Sequence, residues 1–168
     1  MLRWQDSEVR LNPEHIKEVI KFVNEAGYFK LLSISITELG AGYSVVEMPL
    51  DEKHINPFGG IHGGAYSSLV DTAAYWALYG DLEETAGLIS IDVSVDNLVA
   101  TRSGTLVAKG TRIKFGKTIC VAEVKVFDGA HRLVAYGTSK LMISRELQNI
   151  QHTRQSLHMK PFPPKFID

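Results

Sequence analysis

The sequence predicts an α+β domain in which one antiparallel sheet curls around a single buried helix. Two patterns carry that prediction. Residues 65–79 contain no breaker before Gly80, and their apolar side chains fall on nearly every side of a helix. Ala65, Leu69, Ala73, Trp76 and Ala77 keep helical spacing, while Val70, Ala74 and Leu78 lie off that stripe. Four alternating stretches between 88 and 143, joined by short turns, read as an antiparallel meander. A helix that is apolar all round and one sheet solve each other's burial if the sheet wraps the helix.

The elements follow in order. Asn12-Pro13-Glu14 opens a helix with a capping Asn and a proline in the first turn, and Ile16, Val19, Ile20 and Val23 give it one packing stripe ended by Gly27. Residues 29–37 and 43–50 alternate as two strands around Gly40-Ala41-Gly42. That turn lacks the third glycine and following helix of a dinucleotide loop. A glycine-rich loop, Asn56-Pro57-Phe58-Gly59-Gly60-Ile61-His62-Gly63-Gly64, runs straight into the apolar helix, which Gly80 terminates. Strands are expected over 88–99, 105–115, 117–127 and 133–143, with turns at Ser103-Gly104, Gly116 and Asp128-Gly129. The tail from Arg145 opens with helix-compatible residues, then becomes Pro161-Phe162-Pro163-Pro164, an extended arm that packs on its own domain or on a neighbour. The chain thus divides into an N-terminal helical segment (1–27), a central domain (28–144) and a C-terminal extension (145–168). One sheet leaves the far side of the helix and the sheet edges uncovered, and dimerisation is the simplest remedy.

At 168 residues the chain is long enough for one domain whose core needs no staples. Its formal net charge of -1 and its scatter of basic and aromatic residues argue against a nucleic-acid partner. The single cysteine, Cys120, excludes an internal disulfide framework and suits a reducing compartment. Residues 1–8 lack the apolar region of a leader, and no apolar run reaches spanning length, so a cytoplasmic protein without a membrane partner is expected.

One carboxylate, Asp71, sits in the middle of the apolar helix, which is costly unless it is paired, hydrogen-bonded or used. It follows the loop at a distinctive spacing: Asn56, Gly59, His62-Gly63-Gly64 and then Asp71, nine residues after the His. Ser90 opens the next strand, Gly116-Lys117-Thr118 makes a turn, and Ala135-Tyr136-Gly137-Thr138 lies in the last strand. This pattern resembles the hotdog-fold thioesterases, in particular the phenylacetate-pathway and thioesterase-superfamily-member-2 type, over roughly residues 28–143. The resemblance implies the hotdog fold, with about six strands around a long central helix. It also implies hydrolysis of an acyl-CoA thioester to free acid and CoA, with no cofactor beyond the CoA of the substrate itself.

Carried over residue by residue, the resemblance makes Asp71 the general base that activates water or a nucleophile, two roles the sequence leaves open. The N–H groups of Gly63 and Gly64, at a helix N-terminus, can donate to a developing oxyanion. Asn56 would contact the same carbonyl, or it and the glycines merely make the tight turn. His62 would position the loop, and Ser90 would help hold the water, although strand parity groups Ser90 with Asp92 and Ser94 on a polar face. The family arrangement sets the Asp of one protomer opposite the Asn and His-Gly-Gly of the other, so a homodimer or homotetramer with composite sites is expected. Thr72 and Phe58 are assigned to the substrate, and Tyr66, Tyr75 and Trp76 either line the slot or belong to the core. Arg112, Gly116 and Lys117 suit the CoA phosphates, with Lys109 and Lys114 adding to a basic strand on which Arg112 and Lys114 share a face. The alternative for these cations is a solvated sheet edge.

No metal is expected, because His54 and His62 lack ligand spacing. A Ser-His-Asp triad lacks its Gly-x-Ser-x-Gly elbow. A hotdog dehydratase would need a His where the helix carries Asp71. Two rivals stay open: a non-catalytic acyl-CoA-binding hotdog protein acting as a ligand sensor, and an acyl-carrier-protein thioesterase.

Overall fold

The computed structural model describes residues 10–167; residues 1–8, read above for a leader, lie outside them. The chain enters through a two-residue strand, β1 (Arg10–Leu11), and two helices, α1 (Pro13–Asn24) and α2 (Gly27–Leu32). A hairpin of β2 (Ser35–Gly40) and β3 (Tyr43–Pro49) and a single 3-10 turn (Glu52–His54) lead into the long helix α3 (Gly63–Tyr79). Four strands follow: β4 (Gly87–Asn97), β5 (Thr105–Phe115), β6 (Ile119–Phe127) and β7 (Leu133–Ser144). The chain then forms α4 (Ile150–Ser156) and β8 (Phe166–Ile167).

Helix α1 starts as its sequence dictates: the Asn12 side chain accepts the Glu14 N–H at 3.1 Å, and Pro13 occupies the first turn. The strand expected over 29–37 is half wrong. Gly27–Leu32 is helical and ends in a left-handed Ser33, so only Ser35–Gly40 pairs with β3. Tyr28-Phe29-Lys30-Leu31-Leu32 is too short for periodicity to separate a strand from one turn and a half of helix. Asn24 then clasps the free edge of β2, accepting from the Ile36 N–H at 2.9 Å and donating to the Ile36 carbonyl at 3.1 Å.

The six-stranded antiparallel sheet has the order β2-β3-β5-β6-β7-β4, and α3 lies against its inner face. Leu69, Val70, Ala73 and Ala77 of α3 are fully buried against sheet residues such as Val46, Leu106 and Val124; each buried Leu or Val side chain contributes about 1.5–3 kcal/mol, and each Ala less. Two mid-strand glycines set how closely sheet and helix approach. A Cβ on Gly110 would strike the Ala73 carbonyl, and one on Gly137 would lie 2.7 Å from Val70 Cγ1. At the Gly110 contact the Ser44 hydroxyl donates to the Ala73 carbonyl at 2.7 Å, satisfying both groups inside the core. Gly80 ends α3 as expected, but in a right-handed conformation (φ -57°). Its glycine is required because the Gly40 backbone of the hairpin crosses directly against it.

The C-terminal end of α3 is covered by the terminal segments of the same chain. Phe162 of the proline-rich arm is buried against His15 and Phe22 of α1, with ring centroids 5.6 Å apart in each pair, and β8 pairs with β1. Lys165, 1% exposed, donates to the Tyr79 and Leu82 carbonyls at 2.5 and 2.6 Å, capping the C-terminal end of α3. Among the described residues no helix is long and apolar enough to cross a membrane.

Burial pulls the Lys165 ammonium from 10.5 down to about 7, against the opposing influence of nearby Asp81 and Glu84. Above about pH 7 the folded chain releases this proton while the unfolded chain keeps it to about pH 10, so the unfolded state is the better proton binder in that window. Stability contributed by this site therefore rises with pH between about 7 and 10, and below pH 7 the folded state carries the full desolvation cost. Thermal melts of the wild type should shift upward from pH 7 to 9 relative to Lys165→Met. Parallel pH dependence of the two proteins would show that Lys165 does not titrate there.

Candidate active site

The loop before α3 is built on Asn56. Its side-chain oxygen accepts the Phe58 and Gly60 N–H groups at 2.9 and 3.2 Å, and its amide reaches the Ile61 carbonyl at 3.4 Å. All three bonds serve the turn itself. His54 anchors the preceding chain, accepting the Asp51 N–H through Nδ1 and meeting the Leu32 carbonyl through Nε2 at 2.8 Å. His62 is the N-cap of α3: its Nδ1 accepts the Gly64 N–H at 2.9 Å. The Gly64 amide is thus engaged in the cap, and the Gly63 amide takes no part in it. Phe58 projects from the loop tip, 91% exposed.

Asp71 lies eight residues after Gly63 on α3, about 12 Å further along the axis at 1.5 Å per residue. One thioester carbonyl cannot touch both the N-terminus of α3 and Asp71 of the same helix. What the structure does bring together is Asp71 and Ser90, whose hydroxyl donates to Asp71 Oδ1 at 2.8 Å. Simple alternation along β4 places Ser90 on the same face as Asp92, but the register with β7 shifts between them, so Ser90 lies opposite Leu141 and Asp92 opposite Lys140. This bulge at Ile91 turns Ser90 inward with Leu88, and sends Asp92 outward to an ion pair with Lys140 at 2.7 Å.

Asp71 is half-buried and opens into a cavity of about 1090 Å³ on the flank of α3 away from the sheet. Ser67, Ser68, Asp71, Thr72, Tyr75 and Trp76 form its floor at helical spacing, and α1, α2 and the segment around α4 form its walls. Thr72 and two of the four aromatic residues considered from sequence, Tyr75 and Trp76, line it. Tyr66 is instead buried in the core. Burial, with the Asp71 charge adding to it and a bond to the Leu88 backbone opposing it, pushes the Tyr75 phenol up to about 12, so this hydroxyl is neutral at physiological pH. Tyr28 of α2 closes one side by a 2.6 Å hydrogen bond between its hydroxyl and that of Ser68.

The basic residues are dispersed. Arg112 pairs with buried Asp81 at 2.5 Å, and a register shift at Ile113 breaks the face that Arg112 and Lys114 were expected to share. Burial still raises the Asp81 carboxyl despite Arg112. Gly116 and Lys117 form the β5–β6 turn, with Lys117 exposed. The cavity walls supplied by the termini were missed from sequence. The signal was present in part, since Ile150, Arg154 and Leu157 recur at i, i+4 and i+7 and all line the cavity.

The model of the family described as thioesterase superfamily matches residues 58–135, which span most of the loop, α3, β4 to β6 and the start of β7. Human acyl-coenzyme A thioesterase 13 is 30% identical over 128 residues, covering 74% of this chain and 91% of that protein. A 1,4-dihydroxy-2-naphthoyl-CoA hydrolase of Listeria monocytogenes is 24% identical over 120 residues, covering 71% and 98%. Among solved structures, a thioesterase from Haemophilus influenzae superposes with a TM-score of 0.72 at 24% identity, over 80% of this chain and 94% of that one. A sheet wrapped around one helix, an Asp–Ser pair on that helix's open flank and these relatives agree: the chain is a hotdog-fold protein and belongs to the thioesterase superfamily.

Proposed function

We propose that the protein is an acyl-CoA thioesterase that works as a homodimer, or a dimer of dimers, with sites shared between protomers. The observation that carries the reading is the Asp71–Ser90 hydrogen bond on the floor of a large, mainly apolar cavity. Ser90 holds Oδ1 and leaves Oδ2 to take a proton from water. The water oxygen then attacks the thioester carbon, and the oxyanion that forms accepts a hydrogen bond from the Gly63 N–H of the other protomer. Collapse breaks the carbon–sulfur bond, the proton held by Asp71 passes to the CoA sulfur, and the free acid leaves. A direct attack by Asp71 through an anhydride uses the same groups.

Length supports the sharing: about 12 Å of helix separates Gly63 from Asp71 within one chain. The edge strand β4, next to the site, supports a partner there, with Ile91 56% exposed and Leu98 52% exposed just beyond its end. Asn56 and His62 hold the loop that aims the Gly63 amide, and Thr72 contacts the acyl group. Arg112, tied to Asp81, sits this role out; exposed Lys117 in the Gly116 turn meets the CoA phosphates. The compartment proposed is the cytoplasm.

Thiol release from acetyl-, octanoyl- and phenylacetyl-CoA by the purified dimer tests the reading; absence of turnover on all three donors would overturn it. Ser90→Ala should lower kcat by about 10- to 100-fold, the worth of a hydrogen bond to a charged group, with little change in KM. An unchanged kcat would remove Ser90 from the mechanism.

A further inference from the structure

The cavity beside Asp71 is largely the work of residues outside the family-matched stretch 58–135. Helices α1 and α2 and the segment around α4 supply most of its wall, and the arm that follows α4 is fastened to the domain at several points. Asn149 donates to the Glu84 carbonyl at 3.1 Å, and Gln151 bonds the Glu84 carboxylate at 3.0 Å while accepting the Phe162 N–H at 3.2 Å. Arg154 reaches Glu18 of α1 at 3.4 Å and lies 4.0 Å over the Phe162 ring, so α1 and α4 are tied across the cavity. Gly87 marks how tightly the tail crosses the domain, since a Cβ there would lie 2.5 Å from the Gln148 carbonyl oxygen.

The wall is mainly apolar. Phe22, Phe29, Ile150, Leu157 and Met159 line it, with Leu157 56% and Met159 44% exposed. Exposed apolar side chains gathered round one concavity mark a binding surface, and about 1090 Å³ is just above the usual range of small-ligand pockets. Two of the charged pairs on the wall engage each other or a neighbour, Arg154 with Glu18 and Glu25 with Lys30, and Lys21 adds one further cation to the lining.

We infer that the terminal segments form the acyl pocket within each protomer and select a large apolar acyl group, such as a medium-chain alkanoyl or arylalkanoyl, over an acetyl-sized one. The occupant is the acyl group because the pocket floor holds the same carboxylate assigned to the chemistry, so a chain in the pocket puts its carbonyl beside Asp71. This inference rests on the thioesterase reading for which end of the ligand meets Asp71. Leu157 and Thr153, both exposed on the wall, are the specificity-determining positions. Leu157→Asp places a charge against the acyl group, and Thr153→Trp fills the space it occupies.

Calorimetry with non-hydrolysable CoA thioethers tests the pocket separately from catalysis. Wild type should bind S-octyl-CoA at least about tenfold more tightly than S-methyl-CoA, with S-(2-phenylethyl)-CoA also favoured over methyl. Leu157→Asp and Thr153→Trp, each confirmed folded by thermal melting, should erase most of that ratio. Equal binding of octyl and methyl thioethers by wild type, no binding of either, or a ratio that both variants leave intact would overturn the inference; a cavity filled by a partner protomer gives one of these results. Loss of the hydrolase reading would show instead as absent turnover with the thioether ratio preserved.

Discussion

Asp71→Asn should lower kcat for thioester cleavage by about 10²- to 10⁴-fold, the span that a positioned general base contributes. The substitution keeps the shape of the side chain, and its carbonyl oxygen can still accept the Ser90 hydroxyl that now bonds Oδ1 at 2.8 Å. Folding and oligomeric state should therefore match the wild type, and KM should change little. The measurement is thiol release under saturating octanoyl- or phenylacetyl-CoA, alongside a melting curve and light scattering. A folded Asp71→Asn protein that turns over normally would make Asp71 a structural residue. Acyl-CoA binding without catalysis at this carboxylate would then be the reading to pursue.

A second large effect is expected from Gly63→Pro, which deletes the amide assigned to the oxyanion. Proline is well suited to the first position of a helix, where its missing N–H costs no helical bond, and His62 already has the extended backbone (φ -66°, ψ 135°) that a residue before proline requires. A Cβ at Gly63 finds its nearest neighbour, Asn97 Nδ2, at an ordinary 3.5 Å. The fold should survive while kcat falls about 10²- to 10³-fold, as when one oxyanion donor is removed. Mixing is the stronger result. If each site takes Asp71 from one protomer and Gly63 from the other, random dimers of Asp71→Asn with Gly63→Pro recover roughly a quarter of wild-type activity. In those dimers the heterodimer keeps one site whole. Sites confined to single protomers would recover nothing, because every chain in the mixture carries one lesion.

Much of this fold is legible because it rests on local rules. The capping Asn12 with Pro13, the apolar run from Ala65 to Gly80 and the alternation of β5 to β7 each obey a short-range pattern, and the structure repeats them. Where reading failed, the deciding contact lies elsewhere in the chain. Tyr28-Phe29-Lys30-Leu31-Leu32 has no periodicity of its own, and it is helical between the end of α1 and the Asn24 clasp on β2. Arg112 carries the charge expected for a phosphate site, yet it answers a buried carboxylate thirty-one residues earlier.

The sequence by itself determined the sheet around a helix, the loop that caps it and the lone carboxylate on it, since glycine placement, hydrophobic period and residue spacing are properties of neighbouring residues. Only the tertiary structure decided what that carboxylate faces. Ser90 reaches Asp71 because β4 bulges at Ile91, and a one-residue shift in pairing moves every later side chain to the opposite face. The cavity exists because Phe162 and Lys165, near the far end of the chain, dock on α1 and the end of α3. Such contacts join residues more than eighty positions apart, and no local pattern encodes which distant surface a proline-rich arm will bury.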